Sequence, residues 1–360
     1  MKKLLLFILL ISSLALTSCT NSGEVQRRIV VHAIGIDKHP AGYEVSYQVF
    51  SGGSSDGAPV DADESTVITL LAQGRTLYET EESLRLQTGK EVFLGDAELI
   101  VISEDLKDEN LSDFLHYFRK SDVYLGVNVV YCKGKASETV GSKLEQGSAT
   151  AILLRGVVEE AIKNSRAQSS RIIELSNALE RDGESVAVPI LTLEKGEDKG
   201  EDTTLTDTTV GVFESQLITP YGAGGVFGEN EIMGIRLLRG DAKAMSIEVE
   251  VPEGIASVDL QNIKIKRRIR IADGYPAVSV SITARYDIRS APTASDEETV
   301  RRAAQEQIIA LCRDAQKTLS EGDTMQISKL LMKYYPAYAA ENPEAPSEAV
   351  FSVTVELKKY

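Results

Sequence analysis

Residues 24–50 read EVQRRIVVHAIGIDKHPAGYEVSYQVF. Ile29 to Ile36 form a nearly continuous apolar run and read as a strand. The following DKHPAG supplies turn chemistry through Pro40 and Gly42. Beyond it Tyr43, Val45, Tyr47 and Val49 alternate with Glu44, Ser46 and Gln48, a period of two. The stretch is a β-hairpin, and the chain after it keeps interleaving strands with helices. After SGGSSDGAPVDADES, a loop by composition, a helix is expected from Gly74 to Thr88, with Leu77 and Leu84 one heptad apart. VFLGDAELIVIS, residues 92–103, is a strand region. Asn110 can cap a short helix whose Leu111, Phe114, Leu115 and Phe118 share a face. VYLGVNVVYC (123–132) is a strand. Helices around Ala151–Asn164 and Ser170–Glu180 follow, and SVAVPILTL (185–193) is a further strand. This predicts an α/β domain over residues 26–195.

EKGEDKGEDTTLTDTT, residues 194–209, is an acidic near-repeat with glycines and reads as an exposed connection. Residues 196–238 are expected to be a linker or small middle domain of short strands. The C-terminal part, 239–360, has its own pattern. MSIEVEV, IKIKRRIRI, AVSVSITARYDI and VFSVTVELK all alternate. Ser295 and Glu298 are placed as a capping box for a helix running to Leu319, with Val300, Ala304, Ile308, Leu311 and Ala315 on one side. A second helix is expected from Asp323 to Tyr335, stopped by Pro336. That order predicts an antiparallel sheet with two helices. The fold class is α+β: several domains, mixed or antiparallel sheets, helices packed on their faces.

The N-terminus carries a different signal. Lys2 and Lys3 precede an apolar run from Leu4 to Leu16, too short to span a bilayer and of the size of a secretory h-region. It ends Leu16-Thr17-Ser18-Cys19, the form of a bacterial lipobox. Residues 1–18 are therefore expected to be a lipoprotein signal peptide. Cys19 would become the first, lipidated residue, carrying diacylglyceryl and palmitate-type chains, with residues 19–25 as tether. The chain holds 39 basic and 54 acidic residues, a formal charge of −15. Loss of Lys2 and Lys3 makes it two units more negative. That balance argues against nucleic acid as a partner and leaves membrane attachment to the lipid or to a protein. Cys132 and Cys312 sit among apolar neighbours in different predicted domains and are expected to be buried free thiols.

Catalytic and ligand-binding motifs are sparse. His32, His39 and His116 have no metal-ligand spacing and are read as structural. Gly222–Gly228 (GAGGVFG) lacks phosphate-loop spacing and is read as a turn entering a strand with no helix after it. There is no G-x-S-x-G elbow, and DADE (61–64) lacks the glycine and terminal glutamate of a calcium loop. No catalytic residue, cofactor or metal is assigned. One feature stands apart. In IKIKRRIRI the isoleucines 263, 265, 269 and 271 share one face, and Lys264, Lys266, Arg268 and Arg270 the other. The expected explanation is cross-strand pairing with Glu248 and Glu250. The alternative is a docking surface for a partner.

Taken in order, the lipobox, the opening hairpin, GRTLYETEESLRLQTGKEVFLGDAELIVISEDL, RKSDVYLGVNVVYCKGKASE, GGVFGENEIMGIRLLRG and LMKYYPAY resemble the C-subunit lipoproteins of spore germination receptors, the Ger(x)C family. The resemblance spans nearly the whole chain and rests on the order and spacing of loose motifs. It implies three domains of α and β structure and no catalytic centre. It also implies work beside two integral-membrane subunits in nutrient-triggered germination, on the outer face of the cytoplasmic membrane that becomes the spore's inner membrane. Cys19 is the functional residue that carries over. From other classes, an exported solute-binding lipoprotein feeding a transporter is the alternative, and an envelope hydrolase with an unrecognised carboxylate pair is a third.

Overall fold

The computed structural model describes residues 28–50, 67–142, 150–182, 184–195 and 208–359. The lipobox, the DADE stretch and most of the acidic near-repeat lie outside the described residues. The strands are β1 Arg28–His39, β2 Gly42–Phe50, β3 Val67–Gly74, β4 Glu91–Phe93, β5 Leu99–Ser103, β6 Asn128–Cys132, β7 Val186–Lys195, β8 Thr208–Thr219, β9 Gly222–Gly228, β10 Met245–Val251, β11 Gly254–Ala272, β12 Tyr275–Ser290 and β13 Val350–Lys359. The α-helices are α1 Leu77–Thr88, α2 Leu111–Lys120, α3 Ala136–Val140, α4 Thr150–Lys163, α5 Ile172–Ser176, α6 Glu229–Arg239, α7 Glu297–Lys317, α8 Ile327–Tyr334 and α9 Pro336–Glu341. Among the described residues, the architecture is α+β with two sheets.

The opening hairpin forms as read. Ile34 faces Tyr47 and Ile36 faces Val45 in antiparallel register, and Gly42 takes the turn at φ 136°, where a Cβ would sit 2.5 Å from the Gly74 carbonyl oxygen. β1 then runs parallel to β5, β5 to β6 and β6 to β7. Among the described residues, the first sheet has nine strands in the order β3-β2-β1-β5-β6-β7-β8-β9, with β4 beside β1. Its parallel centre is covered on both faces, so β5 and β6 (LIVIS and NVVYC) are buried at every residue. Ile100 and Ile102 enter one core with Leu84, Phe114 and Phe118. Leu99 and Val101 pack on the opposite face of the same sheet with Cys132, Leu154 and Val158. Asn110 caps α2 through its side chain to the Ser112 N–H, and the four predicted apolar residues of that helix are all buried.

Residues 208–238 build no core of their own. β8 pairs antiparallel with β7 and β9 with β8, extending the first sheet, whereas α6 packs into the second core beside α7. The helix α6 is absent from the sequence reading. Ile232, Met233, Gly234, Ile235, Arg236, Leu237 and Leu238 are all buried, seven in a row with an arginine and a glycine among them, so burial here follows the surrounding packing and not a simple apolar stripe. It also corrects the reading of Gly222–Gly228: that strand does lead directly into a helix.

The second sheet runs β10-β11-β12-β13. Its last strand is parallel to β12, from Ala277 opposite Val350 to Tyr286 opposite Lys359, so the sheet is mixed rather than antiparallel. The cause is connectivity. Between β12 and β13 the chain travels through α7, α8 and α9, and such a crossover re-enters from the same end. The predicted stripe of α7 is buried in full. Its cap lies one residue later than predicted: Asp296, not Ser295, accepts the Thr299 N–H at 2.8 Å. Asp323 caps α8, accepting from the Ile327 and Ser328 amides at 2.9 and 2.7 Å. Pro336 does more than stop that helix, because it opens α9 at its first position, where its fixed φ suits a helix start.

The two lobes are joined by polar staples. Arg236 of α6, nearly buried, donates from Nη1 to the Ala167 carbonyl at 2.7 Å and to that of Ile162, while its Nε pairs with Asp241 at 3.0 Å. Ser165 Oγ donates to the Ala244 carbonyl at 2.7 Å. Glu184, 1% exposed just before β7, accepts from Gln326 Nε2 at 2.8 Å. Burial raises its carboxyl above the ordinary range, against the opposing pull of Gln326 and Lys329.

Candidate partner-docking surface

The second sheet packs one face on the helices and leaves the other open. Along β10 the pattern is strict: Met245, Ile247, Val249 and Val251 are buried, and Ser246, Glu248 and Glu250 are exposed. β11 begins with Ala256, Val258 and Leu260 inward, then changes phase, and Ile263 is the next buried residue. A slip of one residue would turn every later side chain to the wrong face. A bulge absorbs it. The register shifts between Gln261 and Lys264, and Asn262 sits in the left-handed region at φ 51°. The bulge keeps Lys264, Lys266, Arg268 and Arg270 on the open face, and all four are exposed.

The expected acid partners are elsewhere. Glu248 stands opposite Ser257 and Glu250 opposite Ile255, and β10 pairs with β11 only as far as Leu260. The register therefore overturns internal pairing of the stripe with Glu248 and Glu250. The neighbours of the four cations on β12 are Thr283, Ser281, Ser279 and Ala277. On β13 the row continues as Glu356, Thr354, Ser352 and Val350. Hydroxyls bridge these strands, Ser352 to Ser279 at 3.1 Å and Thr354 to Ser281 at 3.2 Å. Glu356 lies two strands from Lys264 and pairs with Lys358 at 3.3 Å. Among the described residues, no ion pair involves Lys264, Lys266, Arg268 or Arg270. The result is a hydroxyl-lined strip bordered by four uncompensated cations, spaced about 6.8 Å apart along the strand.

Arg267 is a side chain that the alternation alone does not single out, although an arginine among inward isoleucines is a visible signal. Its guanidinium turns to the core side and donates to the carbonyls of Arg239 and Met325, both at 2.7 Å. It thus satisfies the C-terminal turn of α6 and ties it to the loop before α8. Burial pushes its pKa down to about 10, against the raising influence of Asp323.

The remaining sequence candidates take structural places. His39 Nδ1 accepts the Ala41 amide at 3.2 Å within the hairpin turn. His116 is exposed on α2. His32 is half-buried, and burial lowers its pKa against the acids Asp96 and Glu98. Among the described residues, no group of His, Cys, Asp and Glu could hold a metal ion. At Gly228 the helix start is already served by the chain's own acid, Glu231 accepting the Gly228 N–H at 2.8 Å. An open cleft of about 490 Å³ lies at the edge of β10, and its charged residues include Arg166, Glu229 and Glu248. Arg166 is already engaged, donating to both Glu229 oxygens at 3.0 and 3.1 Å.

Cys132 and Cys312 are free and buried, one in each lobe. Burial pushes both thiols up to about 12, so the thiolate that reacts with alkylating or disulfide reagents is scarce at neutral pH. Neither should be labelled in the native chain at about pH 8, and both should be labelled once denaturant opens the cores. Rapid labelling of either in the folded protein would contradict this burial.

Comparison with known proteins assigns the chain to a class. Residues 21–193 match the family model described as the spore germination protein N-terminal domain, and residues 223–358 match the one described as spore germination B3/GerAC-like, C-terminal. The chain belongs to the Ger(x)C family of spore germination receptor subunits. The crystal structure of the GerBC protein shares its fold, with a TM-score of 0.57 at 14% identity, covering 91% of this chain and 96% of that one. The central domain of yeast acetyl-CoA carboxylase reaches a TM-score of 0.17 at 10% identity, over 89% of this chain and 43% of that one, and carries no argument. No curated protein matches the sequence. Among the described residues, no helix is long and apolar enough to cross a membrane.

Proposed function

We propose that this chain is a lipid-anchored, non-enzymatic subunit of a nutrient-sensing germination receptor. In this reading it sits on the outer face of the cytoplasmic membrane, the inner membrane of the spore, held by acylated Cys19. It acts there with two integral-membrane subunits to trigger germination. The observation that carries the reading is the succession of both family domains through one chain, at 21–193 and 223–358. The lipobox at Leu16–Cys19 supports the anchor, and the strip along β11 supports contact with a partner.

The contact is open to a direct test. Changing Lys264, Lys266, Arg268 and Arg270 together to glutamate leaves the core-facing isoleucines in place, so the circular dichroism spectrum should be unchanged. At about 1 kcal/mol per reversed charge, association with the membrane subunits should weaken by about a thousandfold. In the unaltered chain it should also weaken as salt rises. Co-purification of the membrane subunits measures this. Undiminished co-purification with the four glutamates would leave the stripe a solvated strand face and nothing more.

A further inference from the structure

We propose that the free edge of β11 accepts an extended segment of a protein partner, a strand in which acidic and apolar residues alternate. The inference rests on the docking reading above and adds to it the mode of contact and the chemistry of the partner.

The backbone is the first argument. β10 covers β11 only from Gly254 to Leu260. Beyond the bulge the Ile263 amide donates to the Lys243 carbonyl at 3.1 Å, on the same side as β10. Backbone groups alternate sides along a strand. Ile265, Arg267, Ile269 and Ile271 therefore turn their N–H and C=O groups to that same edge. Among the described residues, none of these four has a backbone hydrogen bond there. The opposite edge of the sheet is treated differently, because Gln305 Nε2 of α7 donates to the Val355 carbonyl of β13 at 2.9 Å. That bond occupies one group on the β13 edge, whereas the β11 edge from Ile265 to Ile271 carries a row of cations beside its backbone groups and is a template for strand addition.

Side chains on the two faces of that edge define what fits. Outward, the four cations recur every second residue, the repeat at which an added strand presents its own outward side chains. Inward, Ile265, Ile269 and Ile271 pack on the core but stay partly exposed. A neighbouring strand with apolar residues on that face would cover them. Two copies of this chain do not pair β11 to β11, since that sets Lys and Arg against Lys and Arg. Neutral strands gain nothing from the cations and basic strands are repelled, so the charges that protect the edge from aggregation also select an acidic occupant. Anionic headgroups could satisfy the cations, but they would leave the backbone edge and the inward isoleucines as they are.

The probe is a short synthetic peptide alternating glutamate and valine, added to the full chain in detergent micelles, with amide hydrogen exchange as readout. At a peptide concentration about ten times its Kd, exchange at Ile265, Ile269 and Ile271 should slow by about tenfold. A lysine–valine peptide should leave it unchanged. The variant with four glutamates should reverse that preference. Ile269→Pro removes one edge N–H at a position where an edge strand tolerates proline, and should abolish the protection while keeping all four cations. Unaltered exchange with the acidic peptide would overturn the proposal, as would phosphatidylglycerol vesicles binding the chain through the four cations when the peptide does not. If the four glutamates abolish co-purification of the membrane subunits while the peptide protects nothing, docking stands and the strand-addition mode fails.

Discussion

A chain carrying Gly234→Leu should fail to form its second core. Gly234 lies in the middle of α6 where that helix crosses α7. A Cβ there would fall 2.1 Å from the Leu311 carbonyl oxygen and 2.7 Å from the Ala315 Cβ. The first is helix backbone and cannot swing aside. Even Gly234→Ala, which gains about 1 kcal/mol of helix propensity, should be destabilising, because overpacking costs about 3 kcal/mol. The net loss of about 2 kcal/mol is readable as a lower urea midpoint with an unchanged slope. Leucine adds a side chain with nowhere to go between Leu311 and Ala315. An alanine variant as stable as the parent would mean that α6 and α7 are not in this close contact. Because α6 also supplies Arg236 to the carbonyls of Ile162 and Ala167, loosening it should disturb the junction between the lobes as well as the second core.

The second large effect belongs to Cys19. Cys19→Ala should move the protein from the membrane fraction to the soluble fraction, or leave it as an uncleaved precursor. A single acyl chain gives marginal binding, and two or more, each buried CH₂ contributing about 0.8 kcal/mol, hold a protein stably. Nothing in the charge balance replaces that anchor, since a chain of formal charge −15 is repelled by anionic bilayers. Mass spectrometry of the mature N-terminus should find a lipid-modified cysteine. An unmodified first residue would remove the anchor from the proposed function and leave attachment to the partner subunits alone.

How much of this was legible in the sequence depended on whether an element shows one wet face. α2 was read completely, cap and stripe, because Leu111, Phe114, Leu115 and Phe118 alternate with polar residues at helical spacing. The four strands of the second sheet were read from their period of two. The helix α6 was missed because its seven consecutive buried residues include Arg236 and a glycine whose reason lies on another helix, so burial there does not follow a single apolar stripe. The cap of α7 was displaced by one residue, since Ser295 and Asp296 are both good caps and only the backbone's turn selects Asp296. At the candidate surface the four cations were legible as a row. Their surroundings were not, because register is a relation between strands: Glu248 and Glu250 are close in sequence pattern yet lie opposite Ser257 and Ile255.

The sequence by itself determined the local elements, the α+β class and the exposed basic row. Each follows from hydrophobic period, turn chemistry and charge within a short window. The tertiary structure alone decided which elements are neighbours. It placed β8 and β9 on the first sheet and α6 in the second core, made β13 parallel to β12, and, among the described residues, left β11 without a strand neighbour on its β10 side beyond Ile263. It also turned Arg267 inward to the carbonyls of Arg239 and Met325. These outcomes depend on long-range pairing and close packing, which bring together groups far apart in the chain, and no local pattern of residues encodes their partners.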